Sequence, residues 1–179
     1  GQYRNNERMQ MTREEWFLRG ADLSTMKGME IGALDKPIIP RDSPHVFYVD
    51  FIDTAGLRDR YKQDPAVVTE RIVDVSGVWG QNTLEEVAGA SAPFDVVVAS
   101  HVIAHVPDLV TWLGELSSVL RDGGSIRLAI PDRRYTFDFL RKETELACVL
   151  NAFVVNARVP QPRQVLNFAL NMAIDDSIA

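Results

Sequence analysis

Residues 94–100, Phe-Asp-Val-Val-Val-Ala-Ser, carry the pattern that most restricts how this chain can fold. Their centre is continuously apolar, as expected of a strand buried on both faces. Pro107 and Asp108 then open a helix whose Leu109, Trp112, Leu113, Leu116 and Leu120 recur at helical spacing. Asp122-Gly123-Gly124 is expected to stop that helix, and Ser125 to Pro131 reads as the next strand. Strand, covering helix and strand make a parallel crossover, which assigns the chain to the α/β class.

The same alternation extends upstream. Met29 to Ile31 reads as a short strand ending at Gly32, Val46 to Asp50 as a second, and Arg71 to Val75 as a third. Thr54 opens a helix running through Leu57 and Tyr61 toward Pro65. Thr12 and Thr83 each precede a helix, with Glu15 and Glu86 at the capping-box position. The expected architecture is a Rossmann-like, doubly wound, mostly parallel sheet of about five strands with a helical C-terminus. One connection is unusual: about a dozen residues, including Pro37, Pro40 and Pro44, separate the first two strands, too few for a normal crossover helix.

Three segments follow from this reading: an N-terminal helical extension at 1–26, a core at 27–140 and a helical C-terminal segment at 141–179. The residues after Asp132 read mainly as helix, broken at Pro160 and Pro162. Only Cys148 to Val155 could pass for a strand, and no hairpin signal accompanies it. The fourth or fifth strand is then expected to be a sheet edge, covered by the C-terminal helices or by a second copy in a homodimer.

Composition narrows the partners. The 179 residues are 46% hydrophobic and 25% charged, ordinary globular usage. A net charge of −6 argues against nucleic acid and against a polybasic membrane anchor. No apolar run approaches the roughly 20 residues of a membrane span, and the first ten residues are polar, without a signal-peptide pattern. Cys148 alone makes neither an internal disulfide nor a cysteine zinc site, and reads as a small buried residue. A cytoplasmic domain acting on a small molecule is the expectation, with no metal.

In open α/β sheets ligands bind beyond the carboxyl ends of the strands. Those ends deliver Glu30-Ile31-Gly32-Ala33-Leu34, Asp50-Phe51, Asp74-Val75, Ser100-His101 and Pro131-Asp132. Asp50 lies 20 positions after Glu30, the spacing at which a carboxylate accepts from both hydroxyls of an adenosine ribose. Asp74 is placed to reach an adenine amino group. Leu34 stands where a dinucleotide fingerprint needs its second glycine, and no phosphate-loop motif exists. A nicotinamide-dependent sugar enzyme is therefore disfavoured. His101, at a strand end, is the candidate general base. His105, four positions on, shares a face with it if both are helical and would shape the pocket. Asp132, with Arg133, Arg134 and Tyr135, is a candidate for catalysis or for orienting a sugar or phosphorylated sugar.

These residues resemble a family. The segments MEIGALDKPIIP, VFYVDF, FDVVVASHVIAHVPDLVTWL and LRDGGSIRLAIPDRRYTFD resemble class I S-adenosylmethionine (SAM)-dependent methyltransferases. The nearest resemblance is to bacterial methyltransferase-domain proteins associated with polysaccharide and glycan biosynthesis. It runs from about Lys27 to Phe139. It implies SAM as cofactor, with Glu30, Gly32, Ala33 and Leu34 in the SAM-binding turn. Asp50 and Phe51 would hold the ribose side, Asp74 and Val75 border the adenine, and Ser100 and His101 line the methyl-donor pocket. The implied reaction is methyl transfer to a sugar, a glycan or another small hydroxylated acceptor. Two departures keep a second reading open, a catalytically silent methyltransferase-like domain that binds or assembles. Ala104 stands where such proteins have Glu, and the final strand pair with which such proteins end is expected to be missing after Asp132.

Overall fold

The apolar run at 94–100 becomes a strand buried at five of its seven positions, inside a five-stranded, all-parallel sheet. The computed structural model describes residues 11–172. In chain order it contains α1 (Arg13–Phe17), β1 (Gly28–Ile31), β2 (Val46–Asp50), α2 (Thr54–Tyr61), β3 (Gly77–Val78) and α3 (Leu84–Ala88). These are followed by β4 (Phe94–Ser100), α4 (Leu109–Ser118), β5 (Leu120–Ala129), α5 (Leu146–Val154) and α6 (Pro162–Asn171). The strand order is β3-β2-β1-β4-β5, so the order reverses between β1 and β4. That reversal is where an open α/β sheet leaves its ligand crevice.

The two faces of the sheet are covered differently. Met29, Ile31, Val97 and Ala99 pack against Leu84 and Ala88 of α3 and Trp112 and Leu116 of α4. On the opposite face Val96 and Val98 meet Ile38 and Ile39, with Phe17, Leu18 and Leu23 around them. Residues 32–45 therefore act as a strap across that face, and they contain no helix, as the three prolines require. The capping boxes at Thr12–Glu15 and Thr83–Glu86 both form.

Several expectations need correction. The third strand is not Arg71 to Val75 but Gly77–Val78, paired through Val49↔Gly77 and Asp50↔Val78. Ile72 and Val73 are buried, yet the Val73 N–H donates to the Leu34 carbonyl at 2.9 Å, outside any ladder. The Val75 N–H donates to the Thr54 hydroxyl at 2.8 Å. Burial, not sheet pairing, is what the apolar run records. Gly77 suits the close site because a Cβ there would come within 3.0 Å of Phe47 Cε1 and closer still to Val87.

The helix α4 also ends earlier than expected. The Phe94 N–H donates to the Val119 carbonyl at 2.8 Å, drawing the chain into the ladder by Leu120. Gly123, at φ 76°, and Gly124 lie inside β5 at the register shift between Phe94 and Val96, so they accommodate a bulge instead of stopping the helix. Leu113 is 40% exposed, off the apolar stripe. Cys148 is half-buried on α5. Among the described residues after Asp132 there are a 3-10 turn, Arg133–Tyr135, two α-helices and no strand, and Cys148 to Val155 belongs to α5 and its cap. β5 is the sheet edge on that side. Among the described residues no helix is long and apolar enough to cross a membrane.

Candidate functional site

The turn after β1 is built by two left-handed residues, Gly32 at φ 70° and Leu34 at φ 50°. The Gly32 N–H donates to the Val49 carbonyl at 2.9 Å, holding the turn beside the end of β2. A Cβ on Gly32 would meet Val102 Cγ2 at 3.0 Å, so glycine satisfies both the backbone angle and the close approach to the loop after β4. Ala33 is buried with Tyr48 and Val73.

Asp50 ends β2 and is 7% exposed. Its Oδ1 accepts from the Phe51 N–H at 2.8 Å, and its own carbonyl accepts from the Trp79 N–H at 2.8 Å. Burial pushes its carboxyl above the ordinary range, opposed by the Phe51 N–H. Phe51 is half-exposed, with the Arg60 guanidinium 5.3 Å from its ring centroid.

Ser100 and His101 end β4. His101 adopts φ 63°, a left-handed conformation that costs a side-chain-bearing residue about 1–3 kcal/mol, and its N–H donates to the Ala129 carbonyl at 2.9 Å. The Ser100 hydroxyl lies 2.9 Å from His101 Nδ1, and the imidazole is exposed. His105 sits in a separate 3-10 turn, Ile103–His105, and is exposed with Ala104. The two histidines thus do not share one helix face.

The structure brings Gly32, Asp50 and the loop after Ser100 to the carboxyl edge around the β1–β4 reversal. It places Asp74 elsewhere. With β3 shifted, Asp74 precedes that strand instead of ending it, and it is exposed beside half-buried Val75. The residues that do follow β3 are Trp79 and Gly80, and a Cβ on Gly80 would lie 3.7 Å from the Phe51 carbonyl. The pairing register of β3 was the missing signal, and it is set by long-range contacts.

The loop after β5 is paired within itself. The Asp132 carboxylate accepts from Arg134 Nε and Nη2, the latter at 2.6 Å, and this ion pair holds its carboxyl below the usual range. Arg133 donates to the Arg141 carbonyl and to Glu143. Both guanidiniums are paired within the loop, in ion pairs open to solvent.

Residues 44–128, from just before β2 to just short of the end of β5 but without β1, match the family described as Methyltransferase domain. This match supports a methyltransferase. With the all-parallel sheet, it supports a class I SAM-dependent enzyme. No curated protein matches the chain. Members of that family use SAM, and the residues of this chain fit such a group. Gly32 lets the turn after β1 approach the loop after β4 with no side chain between them. Asp50 spends its recorded side-chain hydrogen bond on its neighbour's amide, leaving acceptor capacity for hydroxyl donors.

Proposed function

We propose that this protein is a methyltransferase that transfers a methyl group from SAM to a hydroxyl of a small acceptor, a sugar or glycan. The observation that supports it best is the juxtaposition of the Gly32 turn, the Asp50 carboxylate and the Ser100–His101 pair at the reversal of strand order. Bound SAM supplies a sulfonium methyl group. Asp50 accepts from the ribose hydroxyls, and Gly32 with Leu34 lets the backbone approach the amino-acid end. Trp79, Gly80 and Phe51 border the adenine side, with Asp74 and Val75 outside it.

His101 is the base of this reading: its Nε2 takes the proton that an acceptor hydroxyl loses as the oxygen attacks. Ser100 holds the ring through Nδ1. Asp132, paired with Arg134, serves as an orienting group in this reading. A second copy pairing along the open edge of β5 completes the reading; sedimentation showing only monomer at micromolar concentration sinks that part.

Exposed Ala104, in place of a carboxylate at the pocket loop, favours the second reading, a domain that binds SAM without transferring methyl. Calorimetry with SAM and S-adenosylhomocysteine tests the common ground, and binding of neither removes both readings. Transfer of a labelled methyl group to a panel of nucleotide sugars separates them, with product expected for the enzyme.

A further inference from the structure

The strap between β1 and β2 crosses a sheet face without forming a helix, so its amides lack helical partners and need others. Glu30 supplies two of them. The Ile38 N–H donates to both carboxylate oxygens at 2.9 and 3.0 Å, and the Ile39 N–H donates to Oε2 at 2.7 Å. Glu30 is 1% exposed and stands in register with Tyr48 on one side and Val98 on the other. The Tyr48 hydroxyl donates to the Ile39 carbonyl at 2.6 Å, so β1 and β2 grip the same residue. Farther along, the Val68 N–H donates to Asp35 Oδ2 at 3.0 Å and Arg41 donates to the Asp35 carbonyl at 3.1 Å. The proximal end of this strap is the Gly32–Leu34 turn.

We propose that Glu30 is the positioning residue of the cofactor turn and not a ligand of the cofactor. Its carboxylate anchors the strap at Ile38 and Ile39, and the anchored strap holds Gly32–Leu34 at the approach distance. The proposal rests on the methyltransferase reading and replaces a direct contact by an indirect one. Both carboxylate oxygens are already engaged with the chain's own amides. The charged form suits this role, because a protonated oxygen would turn a donor toward an N–H.

Burial pushes the Glu30 carboxyl up to about 7, opposed by the Ile38 and Ile39 amides and then by Arg13 of α1 and Arg41 of the strap. From β2 the facing group is Tyr48, itself raised by burial and by Glu30, with Arg41 and Asp42 beyond it. The grip is therefore complete above neutrality and weakens as Glu30 takes a proton below it.

S-adenosylhomocysteine affinity of the full chain, measured by calorimetry from pH 6 to 8.5, tests this together with amide hydrogen exchange on the free protein. The wild type is expected to lose at least about threefold in affinity from pH 8 to pH 6. Glu30→Gln is expected to bind about tenfold more weakly at pH 8 and to lose that part of the pH dependence. Any contribution of Asp50 persists in both proteins and cancels in the comparison. Its Ile38 and Ile39 amides should exchange faster while Val97 and Val98 are unchanged, with no loss of melting temperature at pH 8. Where Glu30→Gln does not fold, Tyr48→Phe serves: faster exchange at Ile39 with weaker binding supports the anchor, and unchanged exchange and affinity overturn it. A folded Glu30→Gln with affinity within about twofold of wild type, or with unchanged exchange at Ile38 and Ile39, also overturns the proposal. Wild-type protein that binds no S-adenosylhomocysteine at any pH removes the cofactor reading and this proposal with it.

Discussion

Two buried carboxyls at neighbouring strand ends, Glu30 and Asp50, lie on either side of the turn after β1 and have opposite commitments. Asp50 has acceptor capacity to spare, so Asp50→Ala should weaken S-adenosylhomocysteine binding by on the order of 1–3 kcal/mol, and Asp50→Asn by less. Unchanged affinity by calorimetry would remove Asp50 from the site. Glu30 shows itself in stability instead. Its folded value of about 7 lies above that of an unfolded glutamate, so between about pH 4.5 and 7 the folded state binds a proton that the unfolded state releases. The contribution is fully present below that window and is lost as pH rises through it, by up to roughly 3 kcal/mol. Wild-type melting temperature measured against Glu30→Gln should fall across the window, and a constant difference between the two contradicts it. Much of this was legible at residue level: Gly32 and Asp50 stand where strand ends and spacing place them. The engagement of Glu30 with Ile38 and Ile39 was not, because no local pattern announces which amides a crossing strap leaves unpaired.

At the level of elements, legibility followed how many neighbours decide an element. β4, α4 and β5 carry their own signal, since a doubly buried strand must be apolar throughout. β3 does not: Arg71 to Val75 is more β-prone than Gly77–Val78, yet the ladder with β2 selects the glycine. Phe47 and Val87 occupy the space a side chain at 77 would need. Gly77→Ala should therefore cost about 1–3 kcal/mol in urea denaturation through displaced neighbours at the sheet edge. A neutral effect would show that β3 shifts freely. The short helix α3 follows directly, so the same substitution should disturb its packing of Leu84 and Ala88.

On the scale of the whole molecule, the C-terminal segment is tied to the core by a buried acid that sequence inspection passed over. Glu115 of α4 accepts from Trp79 Nε1 at 3.0 Å, the Leu84 N–H at 3.1 Å and Arg158 at 2.6 Å. One carboxylate thus joins the exit of β3, the start of α3 and the loop between α5 and α6. Arg158→Ala should destabilise by about 1–3 kcal/mol, less than a fully enclosed pair because the arginine is partly exposed. Limited proteolysis should then cut within 146–171 before the sheet; cleavage in the sheet first would contradict the tie. The strand order has a further consequence, for synthesis. The first of the described strands to be made, β1, ends up in the middle of the sheet, between β2 and β4. A nascent chain that has emerged only to residue 93 holds β1, β2 and β3 with the inner edge of Gly28–Ile31 bare, an adhesive edge to other chains. The ribosome must deliver about 36 more residues, through Ala129, before β4 shields that edge and β5 backs it. For this protein the vulnerable interval runs from the synthesis of β3 to that of β5.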